Sequence, residues 1–229
     1  GWTIIPNAQF NVAVCAAVAS LIAVAIVAGV SRRREDGRES MILLGIALVF
    51  GFHALLALLQ YRATPEALQQ IVFWTMGSLQ RATWTSNAII AAVLAIAIPI
   101  TMKHSGQLTA LRLGDERAAA MGVNVPRLRL QILILASLLA AVTVAFAGVI
   151  GFIGLVGPHV ARILVGEEQR FFAPASAATG AFLLATAHAL SITIIPGVAI
   201  PIGIITALVG VPVFVSLILT RHRVFGRAS

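Results

Sequence analysis

Chemistry in an oily sequence needs titratable or nucleophilic side chains in the right company. Here the conspicuous candidates are three histidines, His53, His159 and His188, and one cysteine, Cys15. All eight acidic residues lie outside the long apolar runs. An intramembrane hydrolase built on His159 and His188 would need a nucleophile or a metal-binding carboxylate beside them, and the apolar runs supply neither. The same lack argues against a carboxylate proton relay. A single cysteine permits no disulfide framework and no thiolate metal site. There is no Gly-x4-Gly-Lys-Ser/Thr loop, so the chain cannot cradle a nucleotide itself. For each histidine the plainer role is a core side chain hydrogen-bonded to a neighbouring helix.

What remains is binding chemistry, and it concentrates in residues 111–129, LRLGDERAAAMGVNVPRLR, the longest polar interruption in the chain. Asp115 and Glu116 open a short helical pattern and Gly122 stops it, since acids favour a helix start and glycine the position after its end. Pro126 marks entry into the next apolar run. A short helix faced with three alanines reads as a docking element for another protein. A surface loop that happens to be helical is the competing reading.

The elements that hold this segment follow from composition. The 229 residues are 59% hydrophobic and 10% charged, with mean hydropathy +0.99. A soluble domain carries about 25% charged residues, so the fold expected is all-α and polytopic in a membrane. The net charge of +8 sits in short segments between apolar runs, a topogenic pattern and not a nucleic-acid surface. Apolar runs cover residues 10–30, 41–61, 87–102, 130–148, 152–165, 172–194 and 202–220. A membrane helix needs about 20 residues, so residues 130–165 are too long for one span. Gly148, Gly151, Gly154, Gly157 and Pro158 divide them. With seven crossings, segments 31–40, 103–129, 166–171 and 221–229 share one side. Counting span ends, that side holds fourteen of the sixteen Lys and Arg. The expected topology has an external N-terminus and a cytoplasmic C-terminus. The chain opens at Gly1 with no initiator methionine and no signal peptide before the first span, so its start reads as processed or missing.

The external segment 62–86 is more than a loop. Thr64-Pro65-Glu66 is a helix start, residues 67–74 carry an apolar face, Met76-Gly77-Ser78 ends it, and Trp84 suits an interface. This short helix either caps a pore mouth, binds a partner or forms a structural belt.

Three stretches then resemble a known family. They are Leu113-Gly-Asp-Glu-Arg-Ala-Ala-Ala-Met-Gly-Val-Asn-Val125, Gly148-Val-Ile-Gly-Phe-Ile-Gly-Leu-Val-Gly-Pro-His-Val-Ala-Arg162 and Pro201-Ile-Gly-Ile-Ile-Thr-Ala-Leu-Val-Gly-Val-Pro-Val-Phe214. Leu44-Gly-Ile-Ala-Leu48 and Ile71-Val-Phe-Trp-Thr-Met-Gly-Ser78 add weaker matches. Together they resemble the membrane-spanning subunit of binding-protein-dependent ABC importers for iron–siderophore, haem and cobalamin. The resemblance implies a ten-helix subunit, paired with a second copy around a central pathway. This chain corresponds to its last seven helices and lacks the first three. Residues 1–229 form a single permease domain with a coupling segment at 103–129.

By the same resemblance, Gly114, Asp115, Glu116, Ala119, Met121, Gly122 and Val123 form the helix that seats in a groove of an ATPase subunit. ATP-driven closure would then move the spans at 87–102 and 130–148 as a lever. The cytoplasmic gate falls at Arg38, Glu39 and Ser40, where small hydroxyl residues are expected, so the two charged residues depart from the pattern; a solvated charged loop is the other reading. Arg62 and Arg81 either pair with glutamates of a substrate-binding protein or snorkel at the interface. His53, on the pathway helix, could touch a metal chelate or haem. Gly203, Gly210 and Pro212, like Gly151, Gly154 and Pro158, suit close packing. The implied partners are a second permease, two ATP-binding cassette subunits, a periplasmic or extracellular binding protein and membrane lipid, with no nucleic acid. ATP and Mg reside on the partner ATPase, and this chain binds no cofactor or metal and is not an enzyme. The location is a bacterial inner plasma membrane, and the cargo is an iron chelate by frequency, or cobalamin. A passive channel or secondary transporter is the alternative. It would need polar pore-lining residues and no docking helix.

Overall fold

Backbone polar groups in hydrocarbon must be satisfied within the chain, and long runs of Ala, Leu, Val and Ile do this as helices. The computed structural model describes residues 8–31 and 37–225. Among these residues there are ten helices: α1 (Ala8–Ser31), α2 (Gly37–Tyr61), α3 (Pro65–Thr75), α4 (Trp84–Lys103), α5 (Ser105–Leu111), α6 (Asp115–Ala120), α7 (Val125–Ala147), α8 (Ile153–Val165), α9 (Gln169–Thr193) and α10 (Ile202–Phe225). Each of the seven expected runs is a helix. The other three, α3, α5 and α6, lie in the connections.

Caps explain several boundaries. Thr64 Oγ1 accepts from the Ala67 N–H at 3.4 Å, with Pro65 at the first helical position, as its sequence suggests. α4 starts on a reciprocal cap: the Ser86 N–H donates to Thr83 Oγ1 at 3.2 Å and the Thr83 N–H to Ser86 Oγ at 2.8 Å. α7 begins at Val125, five residues before the apolar run, because Asn124 Oδ1 accepts from the Arg127 N–H at 3.1 Å. The polar residues Arg127 and Arg129 therefore ride on the helix.

Ile42–Tyr61, Trp84–Lys103, Val125–Ala147 and Gln169–Thr193 are long and apolar enough to cross a membrane. α8 has 13 residues, which at 1.5 Å per residue rise about 20 Å. That is short of the roughly 30 Å hydrocarbon core, so α8 by itself is less than a full span, as the length of the 152–165 run suggests. The turn before α8 is closed locally, the Ile153 N–H donating to the Gly151 carbonyl at 2.8 Å and the Val156 N–H to the Phe152 carbonyl at 2.9 Å.

The chain packs as two units. One holds α1, α2, α3, most of α4, and α7, with Ala141, Val142 and Ala145 of α7 buried. Its α2 carries a long exposed apolar surface, with Leu43 68% and Phe50 70% exposed. In water that surface would be unsupportable, whereas lipid or helix neighbours accept it.

The other unit holds residues 76–81, the end of α4, α5, α6, α8, α9 and α10. Within it α8 and α9 form a hairpin in which backbones nearly touch. A Cβ on Gly157 would lie 3.1 Å from Gly180 Cα, and Thr179 Oγ1 donates to the Gly157 carbonyl at 2.8 Å. Small residues allow such contact in membrane helices. Gly203 and Gly210 likewise face tight neighbours, whereas a Cβ on Gly151 or Gly154 would meet nothing within 4 Å. Among the described residues those two do not make the packing contact expected of them. At the end of the unit near the start of α10, the Ser78 N–H donates to the Ala147 carbonyl at 2.8 Å and the Gly203 N–H to the Met76 carbonyl at 3.0 Å. Leu79, Ile150, Leu184 and Ile200 close over a core of Ala187, Ile202 and Ile205. Non-helical backbone beside apolar helices is thus paired within the protein.

Candidate functional site

The polar segment between α4 and α7 holds two short helices. The sequence shows only the second, and Ser105–Leu111 folds as α5 where a loop was expected. Gly114 precedes α6 at φ 103°, ψ 156°, a conformation that favours glycine. At the other end Gly122 has φ 82°. Its N–H donates to the Ala119 carbonyl at 2.9 Å, and the Val123 N–H donates to the Ala118 carbonyl at 3.0 Å. This paired pattern closes a helix through a left-handed glycine, as the position of Gly122 in the sequence suggests.

The rest of α6 has two faces. Ala118 is fully buried, and Val123 is buried beside it. Asp115, Glu116, Ala119 and Gly122 are exposed, and Met121 is 64% exposed. Gly114, Asp115, Glu116, Ala119, Met121 and Gly122 thus share an outer surface. Val123 differs from the expectation: it seals the helix end from within and presents no side chain outward.

The segment is fastened to the α8–α9 turn. Arg112 Nη2 pairs with Glu167 Oε2, and Arg112 Nη1 donates to the Glu167 carbonyl at 3.1 Å. Arg162 Nε approaches Glu167 Oε1 at 3.5 Å, and its guanidinium stands 5.6 Å from the Phe172 ring centre. The first N–H of α9, on Gln169, donates to Thr109 Oγ1 of α5 at 3.2 Å, which satisfies a donor that a helix start otherwise leaves open. Sequence reasoning missed Arg112, Glu167 and Thr109. The visible signal was Glu167-Glu168, a pair of acids in the short connection between two apolar runs.

The remaining candidates are dispersed. Arg38, Glu39 and Ser40 belong to the first turn of α2, which corrects their placement in a loop; their side chains lie outside the described ones. Arg62 follows α2 and Arg81 precedes α4; both are exposed, and they belong to different units. His53 is exposed on α2, which corrects its reading as a core histidine, while His159 and His188 are half-buried on α8 and α9. An apolar cleft opens between α8, α9 and α10, lined by Phe152, Val156, Leu183, Thr186 and Thr206 among others. Its hydroxyls are turned back on their own helices, Thr186 to the Phe182 carbonyl at 2.9 Å and Thr206 to the Gly203 carbonyl at 3.1 Å. Such a wall offers contact area with few polar handles.

The FecCD transport family matches residues 3–220. The chain belongs to that family. Among FecCD relatives, a hemin transport system permease protein of Yersinia pestis is 36% identical over 94% of this chain and 64% of its own length. A vitamin B12 import system permease protein of Vibrio vulnificus is 31% identical over 90% of this chain and 62% of its own. A solved structure described as an inward-facing metal-chelate type ABC transporter superposes with a TM-score of 0.79. It is 33% identical and covers 86% of this chain and 63% of that one. The FecCD chain thus spans under two thirds of the length of the relatives it matches.

Proposed function

We propose that this FecCD family chain is the permease subunit of an ATP-driven importer that moves a metal chelate into the cytoplasm. The observation that carries the reading is the exposed face of α6, Asp115, Glu116, Ala119 and Met121, presented by a helix whose own ends are closed by Gly114 and Gly122. Small and apolar side chains enter a groove on an ATP-binding cassette subunit while the acids guide encounter. The ATPase supplies nucleotide chemistry, and this chain supplies a lever and an apolar path. A second permease copy and an external binding protein complete the assembly, and the binding protein supplies specificity. Iron–siderophore, haem and cobalamin are the cargo candidates, with iron chelates first. The basic side of the chain, which includes α5 and α6, faces the cytoplasm, and the membrane is the bacterial inner membrane.

Two features of the second unit support that topology. Segments assigned to the same side by charge, 103–123 and 166–168, meet through Arg112, Glu167 and Thr109. Segments assigned to the other side, 76–81 and 195–203, meet through Met76 and Gly203. The test is co-purification of the full-length protein from its native membrane. An ATPase should accompany it, and deletion of residues 115–122 should remove that ATPase while the permease still inserts. Undiminished co-purification after the deletion would refute the docking assignment.

A further inference from the structure

Covalent continuity sends a push on α6 into α4 and α7, the helices on either side of the docking segment. The contacts send it elsewhere. α5 packs on both α6 and α9, and residues 98–123 belong to the same unit as α8, α9 and α10. We propose that Glu167 is a positioning residue, a latch that ties the docking segment to the α8–α9 hairpin and delivers displacement of α6 to those helices. The proposal rests on the reading that α6 docks an ATPase.

Four contacts converge on one short turn. The Glu167 carboxylate meets Arg112 and Arg162, the Glu167 carbonyl accepts from Arg112, and Thr109 caps the start of α9. Gly166, at φ 77°, sets the turn that places Glu167 between the two guanidinium groups. An isolated surface ion pair contributes little, because two flexible side chains must be ordered for one contact. Here Arg112 is ordered once and makes two contacts, and charge-assisted bonds are stronger than neutral ones. Thr109 adds a link that needs no charge. The Thr109 side chain of α5 is thereby joined to α9 at its first amide, and Arg162 extends the joint into the last turn of α8.

The experiment uses the full-length protein with its co-purifying ATPase in lipid nanodiscs. In a Cys15→Ser background, nitroxides are attached at Leu138→Cys on α7 and Ile163→Cys on α8, and their separation is measured with and without ATP plus vanadate. The otherwise native protein should show an ATP-dependent change. Glu167→Gln should keep the ATPase bound but reduce the shifted population about fivefold, the scale of one lost surface ion pair. Glu167→Asp, which keeps the charge, should restore most of the shift. An ATP response in Glu167→Gln equal to the native one would overturn the latch and leave docking intact. Loss of ATPase binding in Glu167→Gln would also overturn it, since the residue would then shape the docking surface. If no ATPase accompanies the native protein, the docking reading fails and the latch fails with it.

Discussion

Phe152 and Gly210 make a contact whose energy can be isolated. Phe152 is the non-glycine residue with positive φ among the described residues, at 66°, a left-handed conformation that costs about 1–2 kcal/mol. Its side chain lies across Gly210 of α10, where an added Cβ would sit 2.4 Å from both Phe152 Cβ and Cγ. Carbon atoms prefer about 3.5–4.0 Å, so Gly210→Ala forces α10 away from the start of α8 by about 1 Å. Overpacking of this kind costs about 1–3 kcal/mol. At roughly 2–4 °C per kcal/mol for a chain of this size, the Tm of the protein in detergent should fall by about 2–12 °C. Phe152→Gly removes the obstructing atoms and the backbone strain together, while losing the packing of the ring. In that background Gly210→Ala should be neutral or stabilising, because alanine is the better helix former by about 1 kcal/mol. A fluorescence-detected thermal melt of the four proteins gives the cycle. Equal Tm changes for Gly210→Ala in both backgrounds would refute the contact.

Gly203→Ala places a Cβ 2.5 Å from the Met76 carbonyl and disturbs the bond donated by Gly203. It should lower Tm by several degrees, while Gly106→Ala, with nothing within 4 Å, should leave it unchanged or raise it. Gly122→Ala must hold alanine at φ 82°, a strain of about 1–2 kcal/mol. Hydrogen exchange at Val123, whose N–H closes the end of α6, should then quicken about tenfold; unchanged protection would show that the turn does not need glycine. If Arg62 and Arg81 greet an external binding protein, Arg62→Glu with Arg81→Glu should slow association several-fold at low salt, and the difference should fade at high salt. Equal rates at low salt would leave both as interfacial side chains.

Local signals were legible without coordinates. Apolar runs too rich in Ala, Leu, Val and Ile to remain in water specify helices, and Thr64-Pro65, Asp115-Glu116 and Gly122 mark helix ends because caps and left-handed glycines act within four or five residues. The short helix α6 was readable for the same reason, although the burial of Val123 was not. Tertiary structure alone decided which glycines carry contacts. Gly154 and Gly157 are three residues apart on α8 and look alike in sequence, yet only Gly157 meets a neighbouring backbone. It also decided that Arg112, some 55 residues before Glu167, closes on it. A cap is set by neighbours in sequence, but a helix crossing or an ion pair across a turn exists only once the helices that carry it have packed.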